Sequence, residues 1–223
     1  MTLALFDLDN TLLSGDSDYE WGQFLVQKKL VDEKYYEKAN LRFYEQYKQG
    51  VLDIYEWSAF TFLPLSKRSM EELALLHSEY MREVIQPLMG DIAKSVVEHH
   101  RQQGHTLMVI TATNSFVTHP IVKAFGIEHL IATEAKIING RYTTEVDGIP
   151  CFNQGKVERL NHWLQQNNES LQGSYFYSDS HNDLPLLEKV DHPIAVDPDE
   201  KLAKIAKQRN WKITTFLSPN KQS

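Results

Sequence analysis

The sequence predicts an α/β fold: a parallel sheet with helices on both faces, and a block of helices inserted after the first strand. Three observations carry that reading. Short apolar runs alternate with segments of helical spacing, the pattern of a parallel sheet built from strand–helix units. The first run, Leu3-Ala-Leu-Phe6, is apolar at every position, as in a strand buried on both faces. Between residues 19 and 85 strand patterns vanish, and that stretch is too long for an ordinary crossover.

Taken in order, the first strand runs into Asp7, Asp9 and Thr11, and a turn-rich link Ser14-Gly-Asp-Ser-Asp18 follows. Trp21, Phe24 and Leu25 share one helical face, and Tyr36, Phe43, Tyr44 and Tyr47 loosely share a second. Asp53 can cap a third helix bearing Ile54, Trp57, Phe60 and Leu63. Ser69-Met-Glu-Glu72 reads as a capping box before Leu73, Leu76, Tyr80 and Val84, and Pro87 as the end of the helical block.

A helix over 91–101 presents Ile92, Val96 and Val97 and stops at Gly104. A second buried strand, 106–110, leads into Thr111-Ala-Thr-Asn-Ser115. A helix over 120–125 closes at Gly126, and a short strand spans 129–132. Residues 136–143 read as a hairpin on Asn139-Gly140, and Asp147-Gly148 as a further turn. Gly155-Lys156 opens a helix with Val157, Leu160, Trp163 and Leu164 on one side, and 167–173 is a loop. A strand over 174–177 ends at Ser178-Asp-Ser-His-Asn-Asp183, and a helix carries Leu184, Leu186 and Leu187. Then come a strand over 192–196, Asp197-Pro198 as N-cap and first helical residue, a last strand over 211–216, and a tail.

The chain has 223 residues, enough for one large domain or a domain with an inserted lobe. Lys and Arg number 23 against 30 Asp and Glu, and this acidic balance argues against binding a nucleic-acid backbone. A single cysteine, Cys151, allows no intrachain disulfide and fits a reducing compartment. No signal-peptide pattern opens the chain, and no apolar run approaches the ~20 residues that span a bilayer. The expectation is a cytoplasmic protein without nucleic-acid or membrane partners.

Three strand ends carry polar clusters: Asp7 and Asp9; Thr111, Thr113 and Asn114; Asp179, Asn182 and Asp183. Parallel strands point one way, so these clusters converge at the carboxyl edge, where open α/β sheets bind ligands. Taken singly they are ordinary: an acidic turn, a strand-end cap, a helix-start lysine at Lys156. Together they suit chemistry. Paired carboxylates can hold a hard cation, and one can act as nucleophile beside a proton donor. His99, His100 and Cys151 have no partner pattern and read as structural; His181 reads as solvated or as a support behind the site residues rather than a ligand.

On these residues the chain resembles a haloacid dehalogenase (HAD) superfamily phosphatase of the phosphoserine-phosphatase-like branch, subfamily IB, over nearly its whole length. Phe-Asp7-Leu-Asp9-Asn-Thr11 matches the first motif, Val-Ile-Thr111-Ala-Thr the second, Gly-Lys156 the third and Ser-Asp179-Ser-His-Asn-Asp183 the fourth. The resemblance implies a Rossmann-like HAD core over 1–14 and 89–223 and a helical cap of the C1 type over 15–88. It implies Asp7 as the nucleophile that forms an aspartyl-phosphate. Asp9 then protonates the leaving alcohol and later helps deprotonate water. Mg2+ is held by Asp7, the Asp9 main-chain carbonyl and Asp179, with Asp183 close by or acting through water. Thr111, Ala112, Lys156 and Asn182 bind the phosphate.

The implied activity is Mg2+-dependent hydrolysis of a small phosphorylated metabolite. The same residues would serve a phosphotransferase. A phospho-accepting regulatory module without turnover has no need of the second acid, Asp9. Asp16 stands where phosphoserine phosphatases carry a Glu that contacts the substrate amine. The shorter acid keeps amine recognition but fits phosphoserine less well. The aromatics around Trp21 and Phe24 suit a flatter alcohol such as histidinol phosphate. Cap closure implies hinges near Ser14-Gly15 and Met89-Gly90.

Overall fold

The computed structural model describes residues 2–217; Met1 and residues 218–223, which hold most of the expected tail, lie outside the described residues. At the centre is β1 (Leu3–Phe6). It pairs in parallel with β2 (Thr106–Asn114), which pairs with β3 (His129–Thr133). A hairpin of β4 (Ala135–Ile138) and β5 (Arg141–Val146) stands apart from the sheet. On its other side β1 pairs with β6 (Tyr175–Ser178), followed by β7 (His192–Val196) and β8 (Lys212–Thr214), all parallel. The order β3-β2-β1-β6-β7-β8 therefore changes direction between β1 and β6, and such a switch point opens a crevice at the carboxyl ends of those strands.

Alternation within β1 explains why both faces are buried. Ala4 and Phe6 join a core cluster with Val109, Ala93, Val97, Val117 and Ile121, while Leu3 and Leu5 join Met108, Ile110, Val157, Leu160 and Leu202 on the opposite side. The helices that close the first face beside β1 and β2 are α6 (Asp91–Gln102) and α7 (Ser115–Ala124). Those on the second are α8 (Gln154–Asn167), α9 (Leu184–Leu187) and α10 (Glu200–Gln208).

The inserted block holds α1 (Ser17–Gln27), α2 (Glu33–Gln49), α3 (Ile54–Ser66) and α4 (Met70–Tyr80), then a wider turn Met81–Ile85 and α5 (Gln86–Leu88). Side chains of Asp16, Asp32, Asp53 and Ser69 cap the first four helices, and the capping box at Ser69 and Glu72 is complete. The block leaves and rejoins the sheet at one place, where Leu13 bridges Met89 and the Ser14 N–H donates to the Leu88 carbonyl at 3.0 Å. Trp21, Phe24, Phe62, Leu65 and Tyr80 merge with the core cluster, whereas Tyr36, Phe43 and Phe60 form their own.

Several local expectations need correction. The helix expected over 120–125 starts at Ser115, capped by the Asn114 side chain, and holds Pro120 inside it. Asp197 is not an N-cap: it is left-handed (φ 41°), its carboxylate accepts the Phe216 N–H, and Asp199 two residues on caps α10. Pro87 lies within the final helical turn, which runs on to Leu88. The last strand is limited to Lys212–Thr214. Tyr44 is exposed rather than sharing the buried face of Tyr36 and Phe43. The hairpin turn is as expected, with Asn139 (φ 51°) and Gly140 (φ 72°) both left-handed, the geometry a two-residue hairpin requires.

His100 is not isolated. Its Nε2 lies 2.8 Å from the Tyr177 hydroxyl and its Nδ1 2.8 Å from His105 Nδ1, so a single proton bridges the two rings. Burial, with help from His105 and His99, holds its pKa down at about 4. The unfolded chain therefore binds more protons than the folded one as pH falls from about 6.5 towards 4, and the fold weakens through that window. His100→Asn should flatten this slope by about 2 kcal/mol between pH 7 and 4.5, read as denaturant midpoints of the variant against the wild type. Parallel slopes for the two would contradict the assignment.

Candidate active site

Asp7 is the first residue beyond β1, and its N–H donates to the Tyr177 carbonyl of β6 at 2.9 Å. The sheet thus grips the backbone of Asp7 at the switch point. A tight turn follows, in which Asp9 is extended (φ −73°, ψ 133°) and Asn10 is left-handed (φ 55°), a conformation that asparagine tolerates. The turn sinks Leu8 and Leu12 into the core and leaves Asp9 and Thr11 at the strand end.

Lys156 reaches the same point from α8. An added Cβ on Gly155 would overlap the Pro150 carbonyl oxygen, so glycine is what lets the helix start lie this close to its preceding loop. The Lys156 ammonium, buried to 3% exposure, donates to Asp7 Oδ1 at 2.8 Å and to Asp183 Oδ2 at 2.9 Å, with Asp183 Oδ1 at 2.7 Å. Asp183 also accepts from the Ser178 hydroxyl at 2.7 Å. Asp179 is fastened to the first loop by Thr11, whose Oγ1 accepts its N–H at 3.1 Å and donates to its carboxylate at 3.3 Å.

Asp9 is held from three sides. It accepts the Ser17 N–H at 2.6 Å, the Thr113 hydroxyl at 2.8 Å and, more loosely, the Thr111 hydroxyl at 3.5 Å. Asp16 spends its carboxylate capping α1, accepting from the N–H groups of Asp18 and Tyr19 at 2.9 and 3.0 Å.

Burial raises the Asp7 carboxyl to about 7, with Asp183 and Asp9 adding to the shift and Lys156 opposing it. Burial and Asp16 raise Asp9 to about 6, against the hydrogen bonds from Ser17 and Thr113. Asp16, Asp18 and Asp179 are also pushed up, in each case by burial first and neighbouring carboxylates second. Asp16 is open at the crevice mouth, so protein crowding around the carboxylate rather than exclusion of all water raises it. Burial alone would lower Lys156, but Asp183 and Asp7 outweigh it and hold its pKa well above the ordinary value.

One ammonium therefore contacts Asp7 and Asp183 and acts on Asp179, while Asp9 adds its negative charge beside Asp7. That excess of oxygen donors and negative charge fits a hard divalent cation such as Mg2+. Among the described residues no three Asp, Glu, His or Cys side chains are grouped to hold an ion by themselves.

The structure brings together Asp7, Asp9, Thr111, Lys156, Asp179 and Asp183, with Asp16 at the rim. Asn182 lies in the single turn His181–Asp183, its side chain turned to Ser180 Oγ at 3.4 Å. Ala112 offers only main chain between Thr111 and Thr113. Of the two readings of His181, the support behind the site fits: its N–H and Nδ1 both meet Asp199 Oδ2, at 2.8 and 2.7 Å. Two contributors have no role assigned to them by the sequence. Thr113 anchors Asp9, and its position two residues after Thr111 on one strand was the available signal. Tyr47 of α2 reaches Ser180 Oγ at 2.6 Å across 133 residues of chain, which no local pattern reveals.

The family model described as haloacid dehalogenase-like hydrolase matches residues 4–188. A histidinol-phosphatase of Neisseria meningitidis serogroup C (strain 8013) is 44% identical over 218 residues, covering 96% of this chain and 98% of that protein. A crystal structure of a Bordetella pertussis Tohama I protein of unknown function is 44% identical with a TM-score of 0.91, covering 97% of this chain and 100% of that one. A substrate-bound phosphoserine phosphatase is similar in fold, with a TM-score of 0.70 at 16% identity, covering 97% of this chain and 93% of its own.

Proposed function

The chain belongs to the haloacid dehalogenase-like hydrolase family, and from that premise we propose that it is a phosphatase that frees phosphate from a small-molecule monoester by way of Asp7. The observation that carries this reading is the buried contact of Lys156 with both Asp7 and Asp183, which sets a carboxylate and an ammonium side by side at the switch point.

In this reading Lys156, Thr111, Asn182 and the main chain at Ala112 receive the phosphate oxygens. Asp7 attacks phosphorus as the ester oxygen leaves, and an aspartyl-phosphate forms. Asp9, with its carboxyl near 6, is protonated often enough to hand a proton to the leaving alcohol and basic enough afterwards to take one from water. Ser17 N–H holds its Oδ1 and the Thr113 hydroxyl its Oδ2, which together fix the orientation of the carboxyl group. Asp7, the Asp9 carbonyl and Asp179 would hold Mg2+, with Asp183 acting through Lys156 or water. The ion, when bound, offsets repulsion between the carboxylate and the phosphate. Among the described residues no helix is long and apolar enough to cross a membrane, and we place the enzyme in the cytoplasm, acting on a metabolite rather than on nucleic acid or a bilayer. Residues 15–88 form the cap and the rest the core.

For substrate we favour histidinol phosphate. The 44% identity to a histidinol-phosphatase supports it, as do two carboxylates, Asp16 and Asp18, at the start of α1 beside the site, where a cationic amine would be welcome. Phosphoserine is the second choice. Initial rates with Mg2+ on p-nitrophenyl phosphate, histidinol phosphate and phosphoserine test both levels. Mg2+-dependent turnover, abolished by EDTA and highest on histidinol phosphate, is expected. Phosphoserine outpacing histidinol phosphate by a wide margin would overturn the substrate, and no turnover on any would overturn the phosphatase.

A further inference from the structure

We propose that Tyr47 is a positioning residue for the phosphate site, acting from α2 through Ser180 on Asn182; this rests on reading the site as a phosphatase centre. Tyr47 lies in the last turn of α2, and its hydroxyl donates to Ser180 Oγ at 2.6 Å. Ser180 sits between Asp179 and Asn182. Its Oγ also accepts the Asn182 N–H at 3.2 Å and the Asn182 side-chain amide at 3.4 Å. The Tyr47 hydroxyl and the Asn182 N–H occupy the two lone pairs of this oxygen, and the longer contact from the Asn182 amide shares one of them. The carboxamide of Asn182 is therefore held by an oxygen that α2 itself pins down.

A second set of contacts seats the same helix end. The Lys201 ammonium donates to the Lys48 carbonyl at 2.8 Å, satisfying an acceptor that the end of α2 leaves open, and lies 3.2 Å from His181 Nε2. His181 is in turn held by Asp199. The Tyr47 ring also faces Phe152, in the loop that leads to Lys156, at 6.3 Å. Tyr47 thus spans the two core loops that supply Asp179 and Lys156. Burial and the carboxylates of Asp179, Asp183 and Asp7 push its phenol upward, so it stays a donor. When α2 is seated, Asn182 is aimed; when α2 lifts, Ser180 is released and the amide loses its anchor. Phosphate affinity becomes a readout of cap position.

The test uses the full chain with Mg2+, p-nitrophenyl phosphate as substrate and inorganic phosphate as competing ligand. Tyr47→Phe should raise KM and the phosphate inhibition constant about tenfold, the effect of one hydrogen bond, and change kcat less. Ser180→Ala should cost as much, and the double variant no more than either. Tyr44→Phe, an exposed ring on the same helix, should leave both constants unchanged. Wild-type KM and inhibition constant in Tyr47→Phe, or losses that multiply in the double variant, would overturn the proposal. Thermal midpoints of each variant separate loss of folding from loss of aim, and Ser180→Ala carries the test alone if Tyr47→Phe does not fold. Asp7→Asn separates the two levels. If it abolishes turnover while Tyr47→Phe changes nothing, only this inference falls. If the wild type itself shows no Mg2+-dependent turnover, the phosphatase reading falls first.

Discussion

Asp7→Asn should lower turnover by at least about 10^4-fold, because an amide cannot displace the ester oxygen at phosphorus. The fold should survive, and the reason lies in the electrostatics of the wild type. Burial and the neighbouring acids already raise this carboxyl from 3.8 to about 7. A carboxyl with a raised folded pKa contributes stability at low pH that is lost as pH rises through about 7. The neutral amide escapes that loss, and Lys156 keeps Asp183 at 2.7 Å. Without divalent ion, the thermal midpoint of Asp7→Asn should lie close to the wild type near pH 4 and pull ahead of it progressively as pH rises to 8. Turnover close to wild type would remove Asp7 from the nucleophile role; a lower midpoint at pH 8 would contradict the electrostatic account.

Lys156→Met should do both kinds of damage. It keeps the apolar stem, one atom shorter, and removes the ammonium that faces Asp7 and Asp183. Leaving a buried charge without its partner costs about 3–5 kcal/mol, and protonation of Asp7 relieves part of it, so about 3 kcal/mol is expected. For a chain of this size that corresponds to a fall in midpoint of about 6–12 °C. Turnover should fall at least about 10^3-fold, since the transferring phosphoryl group loses its fixed cation. The two variants therefore separate the roles: Asp7→Asn loses rate and keeps stability, Lys156→Met loses both. An unchanged midpoint for Lys156→Met would mean that the buried pair is not what holds the strand-end loops together.

The chain order of strands and the convergence of their polar ends were legible in the sequence because both follow from local pattern. Leu3 to Phe6 is apolar on both faces, Asn139-Gly140 has the two left-handed residues a tight hairpin needs, and Ser69 with Glu72 is a reciprocal cap. The local pattern misled where two residues competed for one role. Pro120 resembles a first helical residue, yet Asn114, six residues earlier, caps the helix, which absorbs the proline. Asp197-Pro198 resembles a cap, yet Asp197 is taken by the Phe216 N–H while Asp199 caps α10 and binds His181. Those choices are set by distant partners. The same is true of Thr113 on Asp9 and Tyr47 on Ser180, whose partners lie 104 and 133 residues away. Spacing names the motif residues and places Thr113 beside them, but which groups Thr113 and Tyr47 hold is set by the fold.

The central claim is that phosphorus passes through a covalent bond to Asp7. Rapid acid quench of Asp9→Asn with saturating phosphate ester and Mg2+, followed by peptide mass spectrometry, addresses it directly, because loss of the proton-transferring acid slows breakdown of the intermediate. The account predicts a phosphorylated N-terminal peptide with the modification on Asp7, absent from the Asp7→Asn control. Turnover in water labelled with oxygen-18 that proceeds with no phosphorylated peptide at any quench time would contradict it.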